Sequence, residues 1–139
     1  FLSHIWSSGQ DQMAAVKRSL MLLLPEARVF LDVDDLADIS ALERYVEATV
    51  VTLAFLSRGY FQSINCLREL RAWELANNCA GGFPRGLLLI RETAQNHGGI
   101  PLEVLRAECP ADLEPEVFCQ RNLRFLVPFY RHERIWAQG

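Results

Sequence analysis

A carboxylate and a thiol stand in the same run of sequence, Ser63-Ile64-Asn65-Cys66-Leu67-Arg68-Glu69-Leu70. Glu69 falls in the first turns of a predicted helix, where the helix dipole favours an ionised carboxylate. Leu67 and Leu70 are expected to point towards a sheet, with Glu69 beside that face. By residue type alone, a glutamate here is more often a surface residue than a catalyst. Cys66 is more simply a small buried residue than a nucleophile, because no histidine is near it in sequence to activate it.

A second acidic feature, Asp32-Val33-Asp34-Asp35, follows a run that is typical of a buried strand. Asp32 and Asp34 in that place resemble the metal- and phosphate-binding loop of haloacid dehalogenase-type phosphatases. That family would have threonine or valine where Leu36 stands, and both it and receiver domains need a later lysine. The only lysine is Lys17, in the first predicted helix. The residues favour the alternative of a solvated turn before the helix that begins at Ser40, since aspartate is common in turns.

The composition narrows the class of protein. The chain has 139 residues, of which 50% are hydrophobic and 22% charged, so we expect one folded domain over 1–139. A net charge of −3 argues against a general nucleic-acid binder. The longest apolar runs, such as Val50–Leu56, fall far short of the roughly 20 residues of a membrane span. Four cysteines without a C-x-x-C pair, together with only three histidines, predict reduced thiols in a cytoplasmic protein and no transition-metal site.

The catalytic motifs of common α/β enzymes are missing as well. There is no G-x-G-x-x-G, no phosphate-binding G-x-x-x-x-G-K-[ST] and no G-x-S-x-G sequence. These absences argue against a Rossmann or P-loop nucleotide site and against the usual hydrolase of this fold class.

Alternating strand and helix patterns must position the candidate residues. Strands are predicted at Phe1-Leu2-Ser3, Arg28–Val33, Thr49–Leu56 and Gly86–Ile90, with an edge strand within Leu123–Phe129. Helices are predicted before Pro25, after a capping box at Ser40 and Glu43, over about Asn65–Asn77, and up to Cys109. This order predicts an α/β fold with a mostly parallel sheet. The first strand is expected to lack its upstream half. A ligand site is expected at the carboxyl ends of the strands, in the loops Ser3–Gly9, Asp32–Ile39 and Ser57–Cys66.

Three of these segments together resemble the Toll/interleukin-1 receptor (TIR) family. Phe1-Leu2-Ser3-His4 resembles its first-strand box, and Phe30-Leu31-Asp32-Val33-Asp34-Asp35-Leu36 resembles its second strand and BB loop. Leu56-Ser57-Arg58-Gly59-Tyr60 followed by Ser63 and Cys66-Leu67-Arg68-Glu69-Leu70 is similar to the plant-type run S-x-x-Y…S-x-W-C-L-x-E-L. The resemblance covers roughly residues 1–90. It implies a flavodoxin-like fold, with a five-stranded, mostly parallel sheet and helices on both faces.

The resemblance implies two functions. Some TIR domains cleave NAD⁺ between nicotinamide and ribose, giving ADP-ribose or a cyclic form, and Glu69 occupies the position of their essential glutamate. The substrate would then contact residues of the same three motifs, namely His4, Ile5, Trp6, Asp32, Leu36, Ser63 and Cys66. Trp6 would stack on a ring of the substrate, or it is simply a partly exposed loop aromatic. NAD⁺ would be the substrate and no cofactor would be needed.

The alternative is a non-catalytic adaptor that acts in signalling or defence by binding other TIR domains. In either case the resemblance implies self-association through the loop Asp32–Ile39. No contact with nucleic acid or membrane is expected, given the net charge and the short apolar runs. Glu69 favours the enzyme, as does the absence of the proline that is common in adaptor BB loops. The chain also differs from the family pattern: Asn65 stands in place of the plant-type tryptophan, His4-Ile5-Trp6 replace arginines, and the loop has no glycine near Asp38.

Overall fold

The computed structural model describes residues 1–5, 10–23, 26, 42–78 and 86–130. Its strands are β1 (Leu2–Ser3), β2 (Val51–Leu56), β3 (Gly86–Glu92) and β4 (Val127–Phe129). Its α-helices are α1 (Gln10–Leu23), α2 (Leu42–Glu47), α3 (Ile64–Asn78), α4 (Leu102–Glu108), α5 (Glu114–Val117) and α6 (Gln120–Arg124), with 3₁₀ turns at Tyr60–Gln62 and Gln95–His97. None of the helices in these ranges is both long and apolar enough to cross a membrane.

The described strands form one parallel sheet in the order β1-β2-β3-β4. Ser3 pairs with Ala54, and Leu56 pairs with Arg91, so the carboxyl ends of the first three strands lie along one edge. The predicted α/β class and parallel sheet are therefore confirmed. The strand predicted at Arg28–Val33 and the loop Asp32–Ile39 lie outside the described residues.

Side-chain alternation divides the sheet into two faces with unequal cores. The larger core packs α3 against one face, where Leu56 and Leu89 of the sheet and Leu70 of α3 are fully buried. Phe1 and Ile5 belong to this core too, so alternate residues of the first strand face α3. The other face carries a smaller cluster of buried side chains: Leu2, Phe55 and Ile90.

Most predicted elements are confirmed with shifted ends. The helix predicted from about Asn65 begins at Ile64, and β3 continues two residues past Ile90 to Glu92. The strand predicted from Thr49 begins at Val51, and Val50 is 75% exposed, because the strand becomes central only where β1 and β3 both pair with it.

The structure of residues 123–129 differs more from the prediction. Of the predicted edge strand Leu123–Phe129, residues up to Arg124 are helical, and the strand is limited to Val127–Phe129. Pro128 lies within this strand, as expected for an edge position. The short helices α5 and α6 were not predicted, since four or five residues are too few to show helical periodicity.

Candidate functional site

Three buried polar side chains meet at the carboxyl edge of the sheet. Glu69, Ser3 and Tyr60 each have an exposed fraction of 0%. The Ser3 hydroxyl donates a hydrogen bond to Oε2 of Glu69. The same hydroxyl lies 2.6 Å from the hydroxyl of Tyr60. Glu69 is therefore joined to both the end of β1 and the segment after β2.

The first strand fixes the position of Ser3. Its backbone pairs with Ala54 of β2, and Phe1 and Ile5 pack on the same face of the sheet as α3. Because side chains alternate along a strand, Ser3 faces α3 as well. The polar hydroxyl at this position, between two apolar neighbours on the same face, meets the carboxylate that approaches from the helix.

A tight turn after β2 presents Tyr60. Gly59 has a φ of +87°, a left-handed conformation that costs glycine little. The amide of Tyr60 then donates to the carbonyl of Ser57 at 3.0 Å, and the amide of Arg58 donates to Gly98 at 2.7 Å. The Tyr60 ring also makes an edge-to-face contact with Phe61, with ring centroids 5.1 Å apart. These contacts hold the phenol in one position.

The helix α3 carries Glu69 into the site. Ser63 caps the helix: its hydroxyl accepts a hydrogen bond from the amide of Cys66 at 3.3 Å, three residues on. Leu70 and Trp73 bury the adjoining face of the helix in the main core. With the helix fixed at its start and along this face, Glu69 enters the interior beside Leu70 instead of facing solvent.

The donors and acceptors of the three side chains have a direction. A hydroxyl has one proton to donate, and Ser3 uses it in the hydrogen bond to the Glu69 carboxylate. Tyr60 must therefore donate to Ser3. Burial, and after it the nearby Cys66 and Glu69, raise the pKa of Tyr60 well above 10, which keeps the phenol protonated as this arrangement requires.

This arrangement suits the stabilisation of a positive charge. One oxygen of the carboxylate is held by Ser3, so its position is fixed before any ligand arrives. A fixed anion in surroundings that exclude water interacts with a developing cation more strongly than the same anion in bulk solvent. The site is therefore suited to stabilise a positively charged ligand or a transition state that develops positive charge.

Cys66 and Ser63 have structural roles on α3. Cys66 is 1% exposed, as expected of a small buried residue, and its thiol is close enough to Tyr60 to affect its pKa. Ser63 is half-buried and caps the helix. Both were predicted to contact the substrate beside Glu69; the structure places Cys66 in the same helix as Glu69 and Ser63 at the start of that helix.

The predicted substrate-binding residues His4 and Ile5 lie on opposite faces of the sheet, because side chains alternate along a strand. Ile5 packs on the α3 side of the sheet. His4 is 1% exposed and lies between Ser3 and Ile5, so alternation directs its side chain to the opposite face, with Leu2. The other predicted substrate-binding residues, Trp6, Asp32 and Leu36, lie outside the described residues.

Ser3 and Tyr60 are the site residues that sequence reasoning did not select. Both belong to motifs that carried the family resemblance, the first-strand serine and the S-x-x-Y run, but neither has a charge or a nucleophilic neighbour to draw attention to it. Conversely, the expectation that a glutamate at position 69 is a surface residue is wrong here, since its carboxylate is fully buried.

Charged side chains surround the start of α3. Arg68, next to Glu69, forms a bidentate ion pair with Glu43 of α2, with Nε–Oε1 and Nη2–Oε2 distances of 2.8 and 2.9 Å. Arg71 pairs with Asp112 at 2.7 Å. The first pair joins α2 to α3 immediately beside the candidate carboxylate.

A cavity of about 290 Å³ lies elsewhere, at the opposite edge of the sheet. It is lined by Val51 and Gly86, the first residues of β2 and β3, together with Trp73, Arg121 and Asn122 among others. It is therefore separate from Glu69. Within the described ranges no three histidine, cysteine, aspartate or glutamate side chains are grouped so as to hold a metal ion.

Comparison with known proteins adds no family assignment. No protein-family model matches the chain, and no curated protein matches it significantly.

Proposed function

We propose that the chain is a TIR-type NAD⁺ glycohydrolase in which Glu69 is the catalytic carboxylate. The observation that carries this proposal is the hydrogen bond from Ser3 to Glu69, because it joins two of the motifs on which the resemblance rests. The first-strand serine and the glutamate of the C-L-x-E-L run meet at the carboxyl edge of the sheet. That edge is where open parallel sheets bind their ligands.

The proposed fold is flavodoxin-like, with five strands and helices on both faces. In the flavodoxin-like order 2-1-3-4-5, the second strand in sequence pairs with one side of the first strand. The third strand pairs with the other side of the first, and the fourth and fifth follow it. The described order β1-β2-β3-β4 agrees with this if Arg28–Val33 supplies the remaining strand at the outer edge of β1.

The reaction needs one carboxylate, whereas most glycosidases need two. The bond between C1′ of the ribose and the pyridinium nitrogen breaks, and its electron pair goes to that nitrogen. Nicotinamide leaves as a neutral molecule, so no general acid is required. Glu69 stabilises the oxocarbenium-like ribose from one side. Water then adds to C1′ and loses its proton to solvent, giving ADP-ribose; attack on C1′ by a nucleophile within the ADP-ribose gives a cyclic form.

Burial of Glu69 links activity to assembly in this proposal. With an exposed fraction of 0%, the carboxylate cannot contact a dinucleotide until the side chains that cover it move. We propose that self-association, or association with other TIR domains, through the loop Asp32–Ile39 provides this activation in a signalling or defence pathway of the cytoplasm. Binding to a partner copy stabilises whichever conformation it prefers, so activity should rise with local protein density.

The second candidate is a non-catalytic TIR adaptor. It is favoured by the same burial, since a carboxylate that is enclosed and bonded to Ser3 also serves to join α3 to β1. In this case the domain would act through TIR–TIR contacts alone.

The two candidates are separated by nicotinamide release. The full chain is coupled to beads at increasing density and incubated with NAD⁺, and nicotinamide, ADP-ribose and cyclic ADP-ribose are quantified by chromatography. The enzyme predicts nicotinamide release per molecule that rises with density. No release above the level of bare beads at any density would leave the adaptor.

A further inference from the structure

The turn that presents Tyr60 also carries an exposed cation, Arg58. Arginines of the neighbouring elements each have an acceptor. Arg68 and Arg71 of α3 form ion pairs with carboxylates, and Arg91 of β3 donates a hydrogen bond to the carbonyl of Ile100. Within the described part of the chain, the guanidinium of Arg58 has no such acceptor. Its charge is therefore available to an anion from solution.

The backbone beneath Arg58 is fixed by the fold. Its amide donates to Gly98 at 2.7 Å, and the next two hydrogen bonds of the turn, from Tyr60 to Ser57 and from Gln62 to Gly59, are 3.0 Å each. Gly59 adds the left-handed conformation that the turn requires. A cation on a fixed turn loses less conformational freedom on binding than one on a mobile loop.

Arg58 lies at the rim of the candidate site. Two residues along the chain, the Tyr60 hydroxyl is 2.6 Å from Ser3, which is bonded in turn to Glu69. A Cβ atom placed on Gly59 would be 4.0 Å from Cδ1 of Ile5, so the turn abuts the end of the first strand. The backbone of Arg58 thus lies at the same edge of the sheet as the carboxylate, and its side chain is exposed there.

The proposed substrate carries charges of both signs that match this edge. The ribose bonded to nicotinamide develops positive charge in the reaction, and its 5′ carbon carries a diphosphate. A planar guanidinium binds phosphate oxygens with two parallel hydrogen bonds, and these are stronger than bonds between neutral groups. If the ribose lies at Glu69, the diphosphate lies a short distance away, where a cation on the same edge of the sheet would bind it.

We propose that Arg58 binds the diphosphate of the dinucleotide and makes the site select dinucleotides over nicotinamide nucleosides. This inference rests on the proposed function, because it takes the ribose to lie at Glu69. Arg58 acts in substrate binding and takes no part in bond cleavage.

The test compares Arg58→Gln and Arg58→Lys with the wild-type chain, all coupled to beads at the same density. Arg71→Gln is the matched control, because it also removes an arginine, but one whose charge is already paired with Asp112. Two measurements are made: equilibrium binding of radiolabelled ADP-ribose, and the kinetics of NAD⁺ and of nicotinamide riboside, which has no phosphate.

Arg58→Gln is expected to weaken ADP-ribose binding, and to raise KM for NAD⁺, by about ten- to hundred-fold. The kcat for NAD⁺ and the kinetics with nicotinamide riboside stay as in wild type, and Arg58→Lys recovers part of the binding. Added salt weakens binding to wild type more than to Arg58→Gln. The Arg71→Gln control binds and reacts as wild type does.

Equal binding of ADP-ribose by wild type and Arg58→Gln would overturn the inference, as would no binding by either. A different outcome would contradict the proposed function and leave the binding site for the diphosphate intact. If ADP-ribose binds through Arg58 while NAD⁺ releases no nicotinamide, the diphosphate site stands and the hydrolysis does not.

Discussion

Ser3 at the end of β1 donates a hydrogen bond to Glu69 in α3, although 66 positions of sequence separate the two residues. The bond ties the first strand to the helix that follows the second. It also orders the Tyr60 hydroxyl, which has Ser3 as its acceptor. Loss of this one hydroxyl therefore affects two other buried polar groups.

Replacing Ser3 with alanine should destabilise the fold. The substitution removes the hydrogen-bond partner that the buried Tyr60 hydroxyl and Oε2 of Glu69 share, and the loss of a partner by a buried polar group costs about 1–3 kcal/mol. Urea denaturation measures the change in the free energy of unfolding. Ser19→Ala, at an exposed position of α1, is the control and should change stability by less than about 0.5 kcal/mol. Equal stability of Ser3→Ala and wild type would contradict the hydrogen-bond chain.

The Tyr60→Phe variant tests the order of that chain. It removes the donor to Ser3 but leaves the bond from Ser3 to Glu69, so alone it should cost only about 1 kcal/mol. Combined with Ser3→Ala, the costs should not add, since the two residues share a hydrogen bond. Tyr130→Phe is the control, because Tyr130 is 64% exposed. Additive costs in the double variant would mean that the two hydroxyls are independent.

Replacing Gly59 with alanine should destabilise the turn. At a φ of +87°, an L side chain costs roughly 1–2 kcal/mol in backbone strain. Gly86→Ala is the control, because Gly86 lies in a strand and a Cβ there would meet Val51 at 3.4 Å, an ordinary contact. Thermal unfolding of both variants measures the difference. A Gly59→Ala protein as stable as Gly86→Ala would show that the turn does not need the left-handed conformation.

The sequence predicted the sheet and the main helices because their signals are local. The β-branched run ending at Leu56 and the apolar spacing of α3 each fit within one element, so periodicity alone located them. The pattern failed after Pro110, where α5 and α6 are too short to repeat. The resemblance singled out Glu69 in the same local way, since its motif is continuous in sequence.

The geometry of the site could not be predicted in the same way. The burial of Glu69 depends on Ser3, which comes from a distant strand and reaches α3 only through the register of β1 with β2. The same alternation that turns Ser3 towards α3 directs His4 away from it, and this alternation is set by the pairing of β1 with β2. Contacts of this kind follow from tertiary pairing, which no local pattern records.

The ion pair between Glu43 and Arg68 should make a pH-dependent contribution to stability. Its hydrogen bond from Arg68 is the main cause that lowers the pKa of Glu43 below 4.5. Because the folded pKa is the lower one, the contribution is complete above pH 4.5 and is lost as the pH falls through the folded pKa. Both side chains are partly exposed, at 34% and 42%, so the coupling should be about 0.2–1 kcal/mol at neutral pH.

A double-mutant cycle with Glu43→Gln and Arg68→Gln, measured by urea denaturation at about pH 7 and about pH 3, checks this. The coupling should be present at the higher pH and reduced at the lower one. The pair Arg71–Asp112, whose side chains are more exposed, gives the comparison cycle and should show a weaker coupling. Coupling that grows as the pH falls would have the wrong sign for this account.

The most direct test of the central claim is nicotinamide release from NAD⁺ by the bead-coupled chain and its Glu69→Gln and Glu74→Gln variants. Glutamine keeps an oxygen that can accept from Ser3 but removes the charge, and unfolding curves verify that each variant is folded. Glu74 lies on the same helix and outside the site. The account predicts that Glu69→Gln lowers release by about a hundred-fold or more, while Glu74→Gln matches wild type. Release by Glu69→Gln at the wild-type rate would contradict it.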